Sequence, residues 1–260
     1  MKITTLMENT ALSPDLAAEH GLSLFVETDR YRFLFDAGQT DGFAGNARKL
    51  GIDLNTADFA VLSHGHYDHG GGMPCFLERN RRAKLYLRAD AFGNYRNAAQ
   101  KYIGLEERLR RSDRLVLTGD ECVIVPGLTL ASCNDLPRPI PTDSFGLTEQ
   151  VGSGFRPDRF LHEQYLLIEE HGKRVLLSGC SHKGILNILE WFRPDVMVGG
   201  FHFKQLDPES PQLRAYGEAM AAYDTIFYTG HCTGQAQFEK LKTILGHRLH
   251  AIGVGAVVEL

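Results

Sequence analysis

Apolar runs of four to six residues, rich in Val, Leu, Ile and Phe and bounded by Gly, Asp or Pro, recur along the chain and alternate with longer segments of helical period. The runs predict strands near 2–6, 22–28, 31–36, 58–62, 84–88, 114–117, 122–125, 128–132, 164–169, 173–178, 195–199, 224–229 and 250–258. The longer segments predict helices near 41–50, 90–112, 183–192, 209–222 and 234–246. This alternation is that of an α/β chain.

One internal echo adds to it. "LFVETDRYRFLFDAG" (24–38) and "LLIEEHGKRVLLSGC" (166–180) each read as strand, polar turn, strand and then Gly. Each opens half of the chain as a hairpin, which predicts two related halves with two sheets packed inside and helices outside. No Pro- or Ser-rich linker divides them, so residues 1–260 are expected to form a single domain. Segments 90–112 and 134–160 are the least core-like and read as elaborations able to cover a site.

Composition narrows the function. A net charge of -4 provides no global positive field for nucleic acid or an anionic membrane. No apolar stretch approaches a membrane span, and the opening residues lack a continuous apolar region, so a cytoplasmic location is expected. The five scattered cysteines fit reduced thiols better than a disulfide framework.

The candidate chemistry is concentrated in "SHGHYDHGGG" (63–72), directly after the buried run at 58–62. In an extended segment residues i and i+2 face the same way, so His64 and His66 can grip one ion together. Asp68 and His69 follow where the chain turns and can address a second ion, while Gly70 to Gly72 let the backbone pass close by. Further donors stand at the ends of other apolar runs: Cys180, His182, His202 and His231. Imidazoles with a carboxylate suit two divalent ions, zinc first, with iron or manganese as alternatives. A water between two such ions ionises near neutral pH and becomes a hydroxide nucleophile, with Asp68 orienting it or carrying its proton.

The H-x-H-x-D-H stretch, with "FLFDAGQ" upstream, resembles the metallo-β-lactamase superfamily. The resemblance implies an α+β fold, a four-layer αβ/βα sandwich in which two mixed sheets pack face to face with helices outside. It assigns His64 and His66 to one metal, and Asp68, His69 and His231 to the other. A narrower likeness runs through "AEHGLSLFVET", "FDAGQ", "ARKLGIDL", "LSHGHYDHGGG", "SGCSHKGILNIL", "GGFH" and "TGHCTG". These resemble the subgroup containing the methanopterin-pathway synthase that joins a dihydropterin to a ribofuranosyl-aminobenzene 5'-phosphate.

The chain also departs from the superfamily layout. Many members place a metal-bridging aspartate after the strand that reads "RVLLSG" here, where this chain has Cys180, either a thiolate ligand or a buried packing thiol. The usual third histidine of the first metal falls near His162 and Glu163. His182, in "GCSHKG", is the favoured replacement. By the same resemblance His20 lies near the pocket; His202 has no obvious place in a full ligand shell and reads as a contact to substrate or a proton donor, and Lys183, next to His182, as a holder of phosphate or carboxylate. Cys232 reads as structural and the basic run at 108–111 as solvated.

Together these features predict a binuclear metal hydrolase acting through a metal-bound hydroxide on a phosphoester, ester or similar bond. The substrate is a small molecule, possibly phosphorylated; homo-oligomerisation is compatible with the sequence, and neither nucleic acid nor membrane is an expected partner. Three other readings compete: a pterin-type synthase forming a C–N bond with phosphate leaving, an iron-dependent redox enzyme, and a non-catalytic metal-binding regulatory module.

Overall fold

A computed structural model describes residues 1–260, which divide into two compact units. The first comprises Met1–Gly119, Gly146–Gln164 and Gly253–Leu260; the second comprises Asp120–Phe145 and Tyr165–Ile252.

The first unit holds a seven-stranded sheet in the order Val257–Glu259, Lys2–Met7, Ser23–Glu27, Arg32–Phe35, Phe59–Val61, Lys84–Arg88 and Leu115–Thr118. Its first three junctions are antiparallel and its last three parallel. The second unit repeats this succession of pairings through Glu121–Val125, Leu128–Ala131, Tyr165–Glu170, Lys173–Leu177, Val196–Val198, Ile226–Thr229 and Leu249–Ala251. The hairpins that echo one another in sequence, with registers such as Leu24 opposite Phe35 and Leu166 opposite Leu177, hold the same place in the two sheets.

Parallel neighbours need crossovers, and helices supply most of them. Gly42–Lys49 and Met73–Arg79 do so in the first unit, and Ile185–Phe192, Pro211–Ala221 and Gln235–Leu245 in the second. Ile185–Phe192 shows why such a segment is a helix. Ile185, Ile188, Leu189 and Phe192 fall at i, i+3, i+4 and i+7 and are all buried. Each such side chain contributes about 1.5–3 kcal/mol on burial. Phe25, Leu34, Phe43 and Phe76 occupy the core of the first unit, and Tyr165, Met197, Phe227 and Leu241 that of the second.

Two predicted elements differ. Segment 90–112 is not a long helix: it holds a short turn at Ala89–Phe92, a strand at Tyr95–Arg96 and a helical turn at Glu107–Arg110. Gly93 and Gly104 interrupt it, and Tyr95 and Ile103 bury against Leu147 and Phe160 instead of forming a helical stripe. Tyr95–Arg96 pairs with Thr148–Val151, which pairs with Gly154–Pro157, so a small third sheet joins parts of the two elaborations. The run at 250–258 is two strands, Leu249–Ala251 and Val257–Glu259, in different sheets; Gly253 and the positive φ of Gly255 mark the break.

Candidate functional site

In both units the candidate residues sit where parallel strands end. After Arg32–Phe35 comes Asp36, with φ +58°, a left-handed conformation that Asp tolerates better than most residues. Its backbone N–H donates to Val61, the last residue of the neighbouring strand, and sets its carboxylate beside the histidine segment. Oδ1 accepts the Ser63 N–H at 2.7 Å. Oδ2 accepts the Ser63 hydroxyl at 2.6 Å and lies 2.6 Å from His69 Nδ1.

This network determines tautomers. The single hydroxyl proton of Ser63 goes to Asp36, so the 2.9 Å contact between Ser63 Oγ and His64 Nδ1 has the histidine as donor. His69 Nδ1 likewise donates to Asp36. Both rings therefore keep Nε2 as a lone-pair donor suited to a metal. The His64 ring centroid lies 4.6 Å from that of His66 and 4.1 Å from that of His69. Burial, reinforced by the neighbouring His162, pushes His66 down to about 3, so its imidazole is neutral at ordinary pH.

Asp68 completes the cluster from the helical turn Tyr67–Gly70. Its Oδ2 lies 3.2 Å from Nε2 of the half-exposed His20 and 3.9 Å from His69 Nε2. With His69 Nδ1 protonated toward Asp36, the second of these contacts sets two electron-pair donors against each other. Such a pair is unfavourable on its own, yet its 3.9 Å separation is short enough for one cation to reach both atoms at about 2.0–2.2 Å, which spans at most about 4.0–4.4 Å. The donor set thus fits a divalent metal. Gly71 and Gly72 permit this close turn, since a Cβ on either would lie 2.2 Å from the carbonyl oxygen of Gln39 or Ala37.

His162, the sequence's alternative ligand, is differently engaged. Its Nδ1 accepts the Gly65 N–H at 2.9 Å, and its Nε2 lies 3.2 Å from Asp158 Oδ2. Burial opposes ionisation of Asp158, but hydrogen bonding, first of all to His162 and also to the Phe160 N–H, outweighs this and holds its carboxyl below the ordinary value. Tyr95 stacks on His162 with centroids 4.0 Å apart. Tyr95 also lines a cleft of about 530 Å³ together with Asp90, Arg110, Glu149, Arg156 and Arg159. Parts of both elaborations therefore wall the cleft, and Glu149 Oε1 holds the Nε atoms of Arg156 and Arg159 at 2.7 and 2.8 Å.

In the second unit, Lys173–Leu177 leads into a turn that carries Cys180 and His182. Ser178 and Ser181 hydroxyls meet at 2.9 Å, Ser181 donates to the Gly200 carbonyl, and the Gly200 N–H donates to the Gly179 carbonyl. His202 and His231, at the ends of the next two strands, both have positive φ, as does Ser181. Three left-handed non-glycine residues at the strand ends of one unit are the kind of backbone strain that collects at functional sites. Ligand atoms of Cys180, His231 and Cys232 lie within 4.8 Å of one another, and so do those of Cys180, His182 and His202. The His182 and His202 ring centroids are 4.3 Å apart. Burial opposes ionisation of the Cys232 thiol, but hydrogen bonding to Cys180 and His202 and the charge of His231 hold it well below the usual thiol value.

Lys183 departs from the expected substrate contact. It is fully buried, its Nζ donates to the Ser132 carbonyl at 2.6 Å, and it lies 5.7 Å from the Tyr165 ring centroid. Its amine ties the Cys133 region to the turn before Ile185–Phe192, because the chain folds over it instead of leaving it at that helix's exposed start.

Sequence reasoning assigned no role to Asp36, Asp158 or Tyr95. Asp36 alone carried a signal, a carboxylate closing a hairpin in "FLFDAG". No helix is long and apolar enough to cross a membrane.

The profile described as "Metallo-beta-lactamase superfamily" matches residues 17–210. Uncharacterized protein MJ0448 of Methanocaldococcus jannaschii is 28% identical, over 97% of this chain and 100% of its own length. The 7,8-dihydropterin-6-methyl-4-(beta-D-ribofuranosyl)-aminobenzene-5'-phosphate synthase of the same organism is 27% identical, over 90% of this chain and 88% of its own. Among solved structures, Tm1679, described as a metal-dependent hydrolase of the beta-lactamase superfamily, matches with a TM-score of 0.85 at 27% identity, covering 100% of this chain and 99% of that one. Mixed sheets with helices, in the α+β class that the sequence motifs implied, are what the two share. This chain belongs to the metallo-β-lactamase superfamily.

Proposed function

We propose that this protein is a metal-dependent hydrolase that cleaves an ester, phosphoester or similar bond of a small anionic molecule. The observation that carries the reading is the approach of Asp68 Oδ2 and His69 Nε2 to 3.9 Å while His69 Nδ1 is committed to Asp36. Under this reading two divalent ions, zinc foremost, would draw their ligands from the donors that the resemblance implies, His64, His66, Asp68 and His69 of the first unit and His182 and His231 of the second. When bound, such ions supply Lewis acidity and lower the pKa of water to about 7.

The chain's own residues do the rest. Asp36, acting directly on His69 and through Ser63 on His64, holds both rings in the tautomer and orientation that ligation needs. Asp68, with His20 Nε2 at 3.2 Å, takes up the proton that the nucleophile releases and passes it toward the half-exposed His20. His202 stands in the second unit's donor cluster as a candidate to protonate the leaving group. Arg110, Arg156 and Arg159 in the cleft suit an anionic substrate.

One observation favours a second reading, C–N bond-forming transfer: the relative named as a synthase is 27% identical over 90% of this chain. The test is elemental analysis of protein purified without added metal, beside assays of chromogenic phosphodiesters and esters. Two zinc ions per chain with turnover, both lost in Asp68→Ala, support the hydrolase. An active, fully metallated Asp68→Ala protein overturns the role given to Asp68. Bound metal without hydrolysis, and coupling of a dihydropterin with an aryl amine, favours the synthase.

A further inference from the structure

We infer that the cleft of the first unit is a phosphate-binding site, in which Arg156 and Arg159 clamp the phosphate group of a small organic molecule as a handle, away from the histidine cluster. The site stands on its own geometry. It narrows the anionic substrate proposed above to a phosphorylated one, and only that narrowing rests on the metal-centre reading.

The small third sheet builds the site. Tyr95, Glu149 and Arg156 stand opposite one another on its three strands, so their side chains share one face. Glu149, only 8% exposed, is the anchor: its Oε1 accepts the Nε of Arg156 at 2.7 Å and that of Arg159 at 2.8 Å. Two guanidiniums on one carboxylate leave a positive charge unbalanced. Asp90, the cleft's other carboxylate, is already engaged by Arg88 at 3.1 Å. Arg110 adds a further cation, fastened to the Phe92 carbonyl at 3.1 Å, with Glu107 at 3.9 Å as its only nearby carboxylate.

Both contacts to Glu149 use Nε, which fixes each guanidinium plane and spends one of its five N–H donors. The terminal nitrogens of Arg156 donate to no group of the protein. A carboxylate ligand has two oxygens and fills one fork. A phosphate presents three and carries nearly two charges at neutral pH, which suits two forks held by one acid. At about 530 Å³ the cleft falls in the range of small-molecule sites and exceeds what a bare anion fills, so the phosphate belongs to a larger molecule.

None of His64, His66, Asp68 and His69 lines the cleft, although Tyr95, which does, has its ring 5.9 Å from that of His66. The phosphate is therefore held beside the cluster, where it contributes binding energy without being the group attacked.

The test is isothermal titration of the full-length protein, as purified and after chelator treatment, with inorganic phosphate, phenylphosphonate and benzoate. Phenylphosphonate has no ester bond to cleave. One molecule per chain is expected to bind in both preparations, more tightly than inorganic phosphate and far more tightly than benzoate. Arg156→Gln and Arg159→Gln should each weaken it by about 10–100-fold, the loss of charge-assisted hydrogen bonds. Arg156→Lys, which keeps the charge without the fork, should also lose affinity. Arg96→Gln is the control, since its guanidinium lies over the Phe155 ring and outside the cleft; it should match the wild type. No saturable binding, wild-type affinity in both Gln variants, or an equal loss in Arg96→Gln overturns the inference. Benzoate bound as tightly as phenylphosphonate refutes the preference for phosphate, a result on wild-type protein that no variant's folding can blur. Inorganic phosphate bound more tightly than phenylphosphonate makes the free ion the ligand and refutes the handle. Failure in the chelator-treated protein leaves the metal-centre reading standing, and protein purified without metal leaves the cleft's binding intact.

Discussion

Asp36 Oδ2 receives His69 Nδ1 at 2.6 Å, and both side chains are wholly removed from solvent. The same carboxylate takes both Ser63 donors, so one residue at the end of a hairpin organises the segment that holds His64 and His69. Asp36→Asn keeps the shape but turns one acceptor into a donor, which cannot satisfy Ser63 and His69 together. Loss of such an outer partner weakens metal affinity by about 10–100-fold. Competition with a chromogenic chelator measures this; unchanged affinity would mean that Asp36 serves the fold alone.

The two carboxylate-supported histidines make opposite predictions. His69 keeps Nε2 available to an ion, whereas His162 has one nitrogen on the Gly65 N–H and the other beside Asp158. His162→Ala should therefore retain the wild-type metal content. It should lower the unfolding free energy by about 1–3 kcal/mol, the cost of leaving a buried backbone donor unsatisfied. Denaturant melts and elemental analysis of the same preparation separate the two effects, and a lost ion would place His162 in the ligand set.

The hairpins and most sheet strands were legible because burial on one or both faces writes a period into the sequence, and the histidine segment because its donors are local. Asp36 was not, since its role exists only once the strand Phe59–Val61 lies beside it and brings Ser63 and His69 within reach. Tyr95 and Asp158 are 63 residues apart and meet His162 only through the small third sheet, whose strands of two to four residues leave no usable alternation. Lys183 read as a holder of phosphate or carboxylate, and nothing in the local sequence announced the Ser132 carbonyl and the Tyr165 ring that the chain sets against it. Cys232 read as structural; its contact with the Cys180 carbonyl depends on two separate strand ends.

Gly200 faces a neighbour in the second unit. A Cβ there would stand 2.3 Å from Cys232 Sγ and 3.2 Å from the Gly179 carbonyl oxygen. Gly200→Ala must push the sulfur away from the turn that carries Cys180, at about 1–3 kcal/mol for overpacking. Gly119→Ala, with open space around its Cβ, is the control and should stay within about 0.5 kcal/mol of wild type. Equal melting temperatures for the two variants would show that the Cys232 side chain yields without cost.

Acid should expose His66 in the metal-free protein. Burial, then the neighbouring His162, lowers its folded value to about 3, against about 6.5 in the unfolded chain. Between these limits the unfolded chain binds a proton that the folded chain refuses, so stability falls as pH drops from 6.5 toward 3. The slope due to this residue approaches 1.4 kcal/mol per pH unit inside the window. Asp158 does not share the window. Its folded value is depressed, so its contribution is intact above the unfolded value of 3.8 and is lost only as pH falls further. Urea midpoints from pH 4 to 7 on chelator-treated wild type and His66→Gln should therefore diverge as pH rises, the variant losing up to one proton's worth of slope. Parallel curves would mean that His66 is already charged in the folded apo state, or that water reaches its ring. Adding zinc should steepen the wild-type dependence, because protons and the ion compete for the same nitrogen, and should leave a variant without that nitrogen less affected.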